Sequence, residues 1–160
     1  MFKMRLIIIL TLLLIISSCA ISKKQNEDNI KKELLKGRWE LLQPKSNLNA
    51  FSGSNNIYIF EDSLFKNNNY WFSDVGPIDS CGERSRFIYS KGNYIIEDSI
   101  LYLKGVYTDK TFEKENTNAC SLMGEYKREF DFYIVKDTLV LRYKPKPKLN
   151  IKVTVKLIKK

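Results

Sequence analysis

Histidine is absent from this sequence. With it goes the commonest general base and metal ligand, and with that any Ser-His-Asp or Cys-His arrangement. Cysteine is scarce: Cys19, Cys81 and Cys120 are the three, and none has a partner at the Cys-x-x-Cys spacing of a thioredoxin-type redox site. There is no phosphate-binding glycine loop, nucleophile elbow or metal-ligand cluster. These gaps predict a protein that is not an enzyme and needs no cofactor or metal. Acidic residues are outnumbered 18 to 27 by Lys and Arg, a formal net charge of +9. Such a balance suits an anionic lipid surface or another polyanion, and equally plain solubility. Nucleic acid is not an expected partner, because no recognition helix, zinc site or base-stacking motif accompanies the charge.

The amino terminus is cationic through Lys3 and Arg5 and continues into an apolar run from Leu6 to Ile16, broken only by Thr11. That is the layout of a secretory signal, and it falls short of the about 20 apolar residues that a membrane-crossing helix requires. The run ends in Ile16-Ser17-Ser18-Cys19, an aliphatic residue and two small ones before a cysteine. In this the segment resembles the bacterial lipoprotein signal and its lipobox. The resemblance implies cleavage before Cys19, a diacylglycerol thioether on its sulfur and, usually, an acyl group on the freed amine, giving palmitate-type anchoring. Two or three chains together hold a protein firmly, at about 0.8 kcal/mol per buried methylene. The expected address is therefore the cell envelope, lipid-anchored to a bacterial membrane, with the outer membrane favoured in a Gram-negative host. In an oxidising compartment Cys81 and Cys120 read as a disulfide, or else as two buried free thiols.

Residues 1–18 are thus the signal peptide and residues 19–29 a lipidated polar tether; residues 30–160 form the single folded domain. At its start, Ile30, Leu34 and Leu35 predict one or two helical turns that stop at Gly37. From there the two-residue alternation of half-buried strands takes over, most clearly at the carboxy terminus, where Ile151, Val153, Val155 and Leu157 oppose Lys152, Thr154 and Lys156. One pattern recurs three times, as Tyr58-Ile59-Phe60-Glu61-Asp62-Ser63-Leu64, Tyr94-Ile95-Ile96-Glu97-Asp98-Ser99-Ile100 and Tyr133-Ile134-Val135-Lys136-Asp137-Thr138-Leu139. Apolar runs flanking a short Asp-containing step mark tight hairpins, since Asp tolerates the left-handed backbone and bonds its own turn. Three hairpins are fewer than the four to eight blades of a propeller. The prediction is an all-β, antiparallel up-and-down meander of about eight to ten strands closing into a barrel. Strands are expected near 38–43, 56–60, 63–66, 69–74, 85–90, 93–97, 100–107, 127–135, 138–144 and 150–158.

Gly37-Arg38-Trp39, after the helical turn and opening the first strand, resembles the Gly-x-Trp start of lipocalin-type (calycin) barrels. The resemblance implies that Trp39 closes one end of an eight-stranded cup whose open end receives a small apolar ligand. The chain departs from that family in lacking its central Thr-Asp-Tyr motif. It also offers Lys152 and Lys156 where the family places an arginine over the tryptophan.

Two surface candidates remain. Tyr70, Trp71 and Phe72 form the densest aromatic run and are read either as pocket lining or as core and rim packing. Lys144, Lys146 and Lys148, spaced by Pro145 and Pro147, make a stiff cationic loop for an anionic contact, an envelope protein or polymer, or merely for solubility. The carboxylate pairs Glu61/Asp62 and Glu97/Asp98 recur at equivalent hairpins, so turn chemistry accounts for them better than acid–base catalysis. The leading expectation is a membrane-anchored lipoprotein whose lipocalin-like barrel binds a small apolar ligand. The alternative is a non-enzymatic interaction module using its exterior and cationic loops.

Overall fold

The computed structural model describes residues 26–42, 52–73, 85–117, 122–143 and 153–160. The segment expected to be a signal peptide, Cys19, Cys81, Cys120 and Lys144, Lys146 and Lys148 lie outside the described residues. A helix, α1 (26–35), precedes eight strands: β1 (Gly37–Leu41), β2 (Ser52–Glu61), β3 (Leu64–Ser73), β4 (Ser85–Glu97), β5 (Ile100–Thr108), β6 (Glu125–Val135), β7 (Thr138–Tyr143) and β8 (Thr154–Lys159). Each strand pairs antiparallel with the next, and β8 returns to β1 through Trp39↔Lys159, Glu40↔Ile158 and Leu41↔Leu157. The sheet is therefore a closed up-and-down barrel, without the free edges that invite association.

Ten expected runs become eight strands because two polar interruptions are strand interior. The pieces 63–66 and 69–74 join as β3 across Asn67, which is buried and turned to the lumen. Its side-chain nitrogen donates to Asn56 Oδ1 at 2.7 Å and to the Ile57 carbonyl at 3.1 Å. The pieces 85–90 and 93–97 join as β4 across Gly92, which faces Gly105 of β5. A Cβ on Gly105 would sit 1.9 Å from the Lys91 carbonyl oxygen, and one on Gly92 would sit 2.2 Å from that of Lys104. Only two facing glycines permit this close backbone approach, so here glycine bends a wall instead of ending a strand. α1 also takes in residues 26–29, which the sequence assigned to the tether; Glu27 and Asp28 fall in its first turn, where negative charge complements the helix dipole. The last strand runs later than expected, from Thr154 to Lys159.

The three hairpins form at the expected places. Their closing pairs are Glu61↔Leu64, Glu97↔Ile100 and Val135↔Thr138, each with a two-residue loop. The first loop residue is left-handed in every case, with φ of 40° at Asp62, 57° at Asp98 and 53° at Lys136. All three loops lie at one end of the barrel, which α1 caps. Leu35 and Trp39 are fully buried there, and the indole Nε1 donates to the Leu35 carbonyl at 2.7 Å. Lys159 holds its ammonium 5.3 Å from the centre of the Trp39 ring and donates to the Leu34 carbonyl. The cation over the tryptophan is thus Lys159 and not Lys156, while Lys152 lies outside the described residues. Lys31 reaches the Asp98 carbonyl, and Lys36 bridges Glu33 and Asp62. Above this floor Tyr58, Phe60, Tyr94 and Phe130 interlock, with Tyr58 stacked on Phe60 at 5.8 Å and Phe60 edge-on to Tyr94 at 5.3 Å. Full burial contributes roughly 1.5–3 kcal/mol for a side chain of this size. The floor is consequently the apolar core of the protein.

Candidate functional site: the mouth of the barrel

The connections from β1 to β2, β3 to β4, β5 to β6 and β7 to β8 all leave from the end opposite the hairpins. They are the longer ones, so the barrel has a sealed floor and a mouth bordered by loops. The described part of the β5–β6 connection is held by an Asp109 carboxylate that accepts from the Thr111 hydroxyl at 2.8 Å, and this contact holds its pKa below the usual carboxylate range. A backbone bond from Asp109 to Lys114 and a Thr108↔Glu115 bridge close the same loop.

Toward the mouth the inward positions change from apolar to polar. Asn56, Asn67, Ser90, Tyr107, Tyr126, Arg128 and Tyr143 occupy them. Arg128 alternates with Tyr126 and Phe130 along β6, which places a guanidinium on the inner wall. It lies over the Tyr126 ring at 4.9 Å, donates to the Lys127 carbonyl at 2.8 Å and makes a long 3.3 Å contact to the Tyr107 hydroxyl. Among the described residues no carboxylate is bonded to it; Glu125 and Glu129 sit on the outer side of β6. Burial pushes the Tyr58 phenol far above its ordinary value and raises that of Tyr126, so both stay neutral, and the two hydroxyls share a hydrogen bond. Ser90, fully buried between Asn67 and Tyr107 in the register of β3, β4 and β5, has a hydroxyl without a partner among the described residues.

The arginine offers donors only, and the phenol and serine hydroxyls can both donate and accept. An open concavity of about 1640 Å³ touches both sides of the β4–β6 wall, with Arg128 and Tyr143 inside and Ile95, Lys104 and Glu129 outside. A hollow so open is filled by solvent, in contrast to the fitted cavities of about 300–1,000 Å³ that enclose small ligands.

Of the residues singled out in the sequence, Trp39 lies in the floor, far from the mouth. Tyr70 is on the outer wall, its ring 4.4 Å from that of Phe87, which stacks in turn on Tyr89, while Tyr89 meets Phe112 edge-on. The backbone of Trp71 and Phe72 belongs to β3, and their side chains lie outside the described residues. The structure does not bring Trp39 and Tyr70 together. Arg128, Tyr107 and Ser90 were not singled out. The signal for Arg128 was present, because Tyr126, Arg128, Phe130 and Phe132 share one parity and a charge on the apolar side of a strand is out of place.

Compared with protein-family models, with curated proteins and with solved structures, the chain matches none.

Proposed function

We propose that this protein is a lipid-anchored binding protein of the bacterial cell envelope, not an enzyme, whose lipocalin-like barrel receives a small, largely apolar ligand through its mouth. The observation that carries this reading is the asymmetry of the lumen. The floor is sealed by α1 and Trp39 and filled by interlocking rings. The mouth end instead lines its inner wall with polar groups, including a guanidinium that has no carboxylate and a buried hydroxyl that has no partner among the described residues. Polar groups so placed are costly unless something satisfies them. Anchoring rests on the sequence alone, through Ile16-Ser17-Ser18-Cys19.

Native mass spectrometry of the protein from its own host tests the binding half: a co-purifying small molecule is expected, and repeated recovery of the bare chain counts against it. Feeding cells an alkyne palmitate tests the anchor. Label is expected on the wild-type chain and lost in Cys19→Ser; an unlabelled wild type overturns it.

The outer aromatic cluster of Tyr70, Phe87, Tyr89 and Phe112 favours a second reading, an interaction module working through its exterior, since Phe87 is 54% exposed. Phe87→Ser separates the readings: it weakens partner capture under the second and leaves the ligand in place under the first.

A further inference from the structure

We infer that the outward face of α1, carrying Ile30 and Leu34, docks onto the bilayer that holds the anchor, so that the sealed floor of the barrel lies on the membrane and the mouth faces the aqueous compartment. This deepens the anchoring reading above and rests on it.

The helix has two unlike faces. Leu35 is fully buried, and Asp28, Lys31 and Lys32, which share its side, are half-buried. Lys31 reaches the Asp98 carbonyl and Lys36 pairs with Asp62, so α1 lies across the floor from the β4–β5 hairpin to the β2–β3 hairpin. Ile30 and Leu34, one helical turn apart, are left on the other side, each 52% exposed. They form an apolar stripe turned away from the core. Leu64 and Val135, also half-exposed, add apolar surface at the same end, because they belong to the closing pairs of the first and third hairpins.

The length of chain ahead of α1 names the occupant. Residues 20–25 alone separate Cys19 from Asn26, where the described helix begins. Whatever path they take, they span at most about 25 Å. Lipid on Cys19 therefore keeps α1 beside the bilayer, and the contact becomes intramolecular, at a high effective concentration. Two half-exposed aliphatic side chains, too few to recruit a free protein, are then sufficient to orient an anchored one.

Charge neither drives nor opposes the contact. On α1, Glu27, Asp28 and Glu33 balance Lys31, Lys32 and Lys36, and Glu33 is itself bridged to Lys36 at 2.7 Å. The attraction is apolar burial at the boundary of headgroups and acyl chains, and it needs no anionic lipid. With α1 so seated, the opposite end of the barrel points away from the bilayer, and the mouth exchanges its ligand with the aqueous side.

The test uses the full lipidated chain, 13C-methyl-labelled at Ile and Leu, in phosphatidylcholine nanodiscs that contain a lipid spin-labelled near its headgroup. Broadening of the Ile30 and Leu34 methyl signals is expected to be at least about threefold that of Leu122, which is exposed at the mouth end. Exchanging the lipid for phosphatidylglycerol, or adding salt, is expected to leave that excess in place. In the double variant Ile30→Ser with Leu34→Ser, the Leu64 methyl signal is expected to lose its excess over Leu122 while the chain stays in the disc. Both replaced side chains are half-exposed, so the fold is kept, and the far-UV spectrum checks it. Stronger broadening of Leu122 than of the α1 methyls puts the mouth on the lipid and overturns the inference. Broadening at neither end, in a chain still held by the disc, also overturns it, leaves the anchor standing and makes a protein or a second copy the occupant of the α1 face. An excess at Leu64 retained by the double variant overturns the assignment to Ile30 and Leu34. A chain without acyl mass on Cys19 that does not stay with the discs overturns the anchor, and the inference falls with it.

Discussion

The two ends of this barrel are built on opposite terms. At the floor every strong group has a partner: the Trp39 indole bonds Leu35, Lys159 covers the ring, and Lys36 joins α1 to the first hairpin through Asp62. Toward the mouth, among the described residues, a guanidinium lacks an acid and a buried hydroxyl lacks a partner. The apolar core is concentrated where the chain is locally well cued, and the polar inward positions gather toward the opposite end.

The comparison breaks most visibly at the floor. Trp39→Ala removes the largest buried side chain and the donor to Leu35, and is expected to lower stability by roughly 3–5 kcal/mol in denaturant unfolding. Gly105→Ala comes next. Its methyl meets backbone atoms of β4 that cannot swing away, so a loss of roughly 3 kcal/mol is expected, at the upper end of overpacking costs. A drop below about 1 kcal/mol would mean that the wall yields there.

Alkaline pH acts on the whole lumen. The phenols of Tyr58, Tyr94 and Tyr126 are raised, chiefly by burial. A raised folded value means that the stabilisation is full below the unfolded value near 10 and is lost as pH climbs from there through the folded value, at up to about 1.4 kcal/mol per unit and group. The share of the phenolate absorbance at 295 nm that belongs to these three side chains should therefore appear together with unfolding and not before it.

Ser90→Ala sharpens the contrast from the mouth. Deleting a buried hydroxyl that has no partner among the described residues is expected to raise stability by about 1 kcal/mol. A loss of stability instead would show that the hydroxyl has a partner. The smallest effect belongs to Asp62→Asn. The Lys36 ammonium beside it lowers the Asp62 pKa, so its contribution is present above the ordinary carboxylate value and fades as pH falls from there through the lowered one. Both groups are exposed enough for salt to screen them, and only the acid limb of the stability profile should shift.

The repeated heptapeptide shows where sequence reading stops. Its first two copies put the tyrosine inside, as Tyr58 and Tyr94, each 1% exposed. In the third copy Tyr133 is outside at 42%, and Phe132 and Ile134 point inward. The loop has moved by one residue, from Asp62-Ser63 to Lys136-Asp137, and a one-residue shift exchanges the faces of a strand. The cause lies in β7. Keeping the tyrosine inward would pair it with Arg142 and bury that charge. The observed register buries Leu139 and Leu141 and leaves Arg142 outside, stacked 5.2 Å over Tyr133. No local property of the seven residues carries that information, because the choice belongs to the partner strand.

Alternating apolar and polar residues and Asp-bearing turns were sufficient, by themselves, to dictate an all-β meander and the position of its three hairpins, because strand period and turn chemistry act over a few residues. The tertiary structure alone decided that Asn67 and Gly92 continue strands, that Lys159 covers Trp39, that the third hairpin slips, and that Arg128 meets Tyr107 on one wall. Those outcomes depend on which strands become neighbours when the sheet closes, and closure brings together residues whose separation along the chain leaves no local trace.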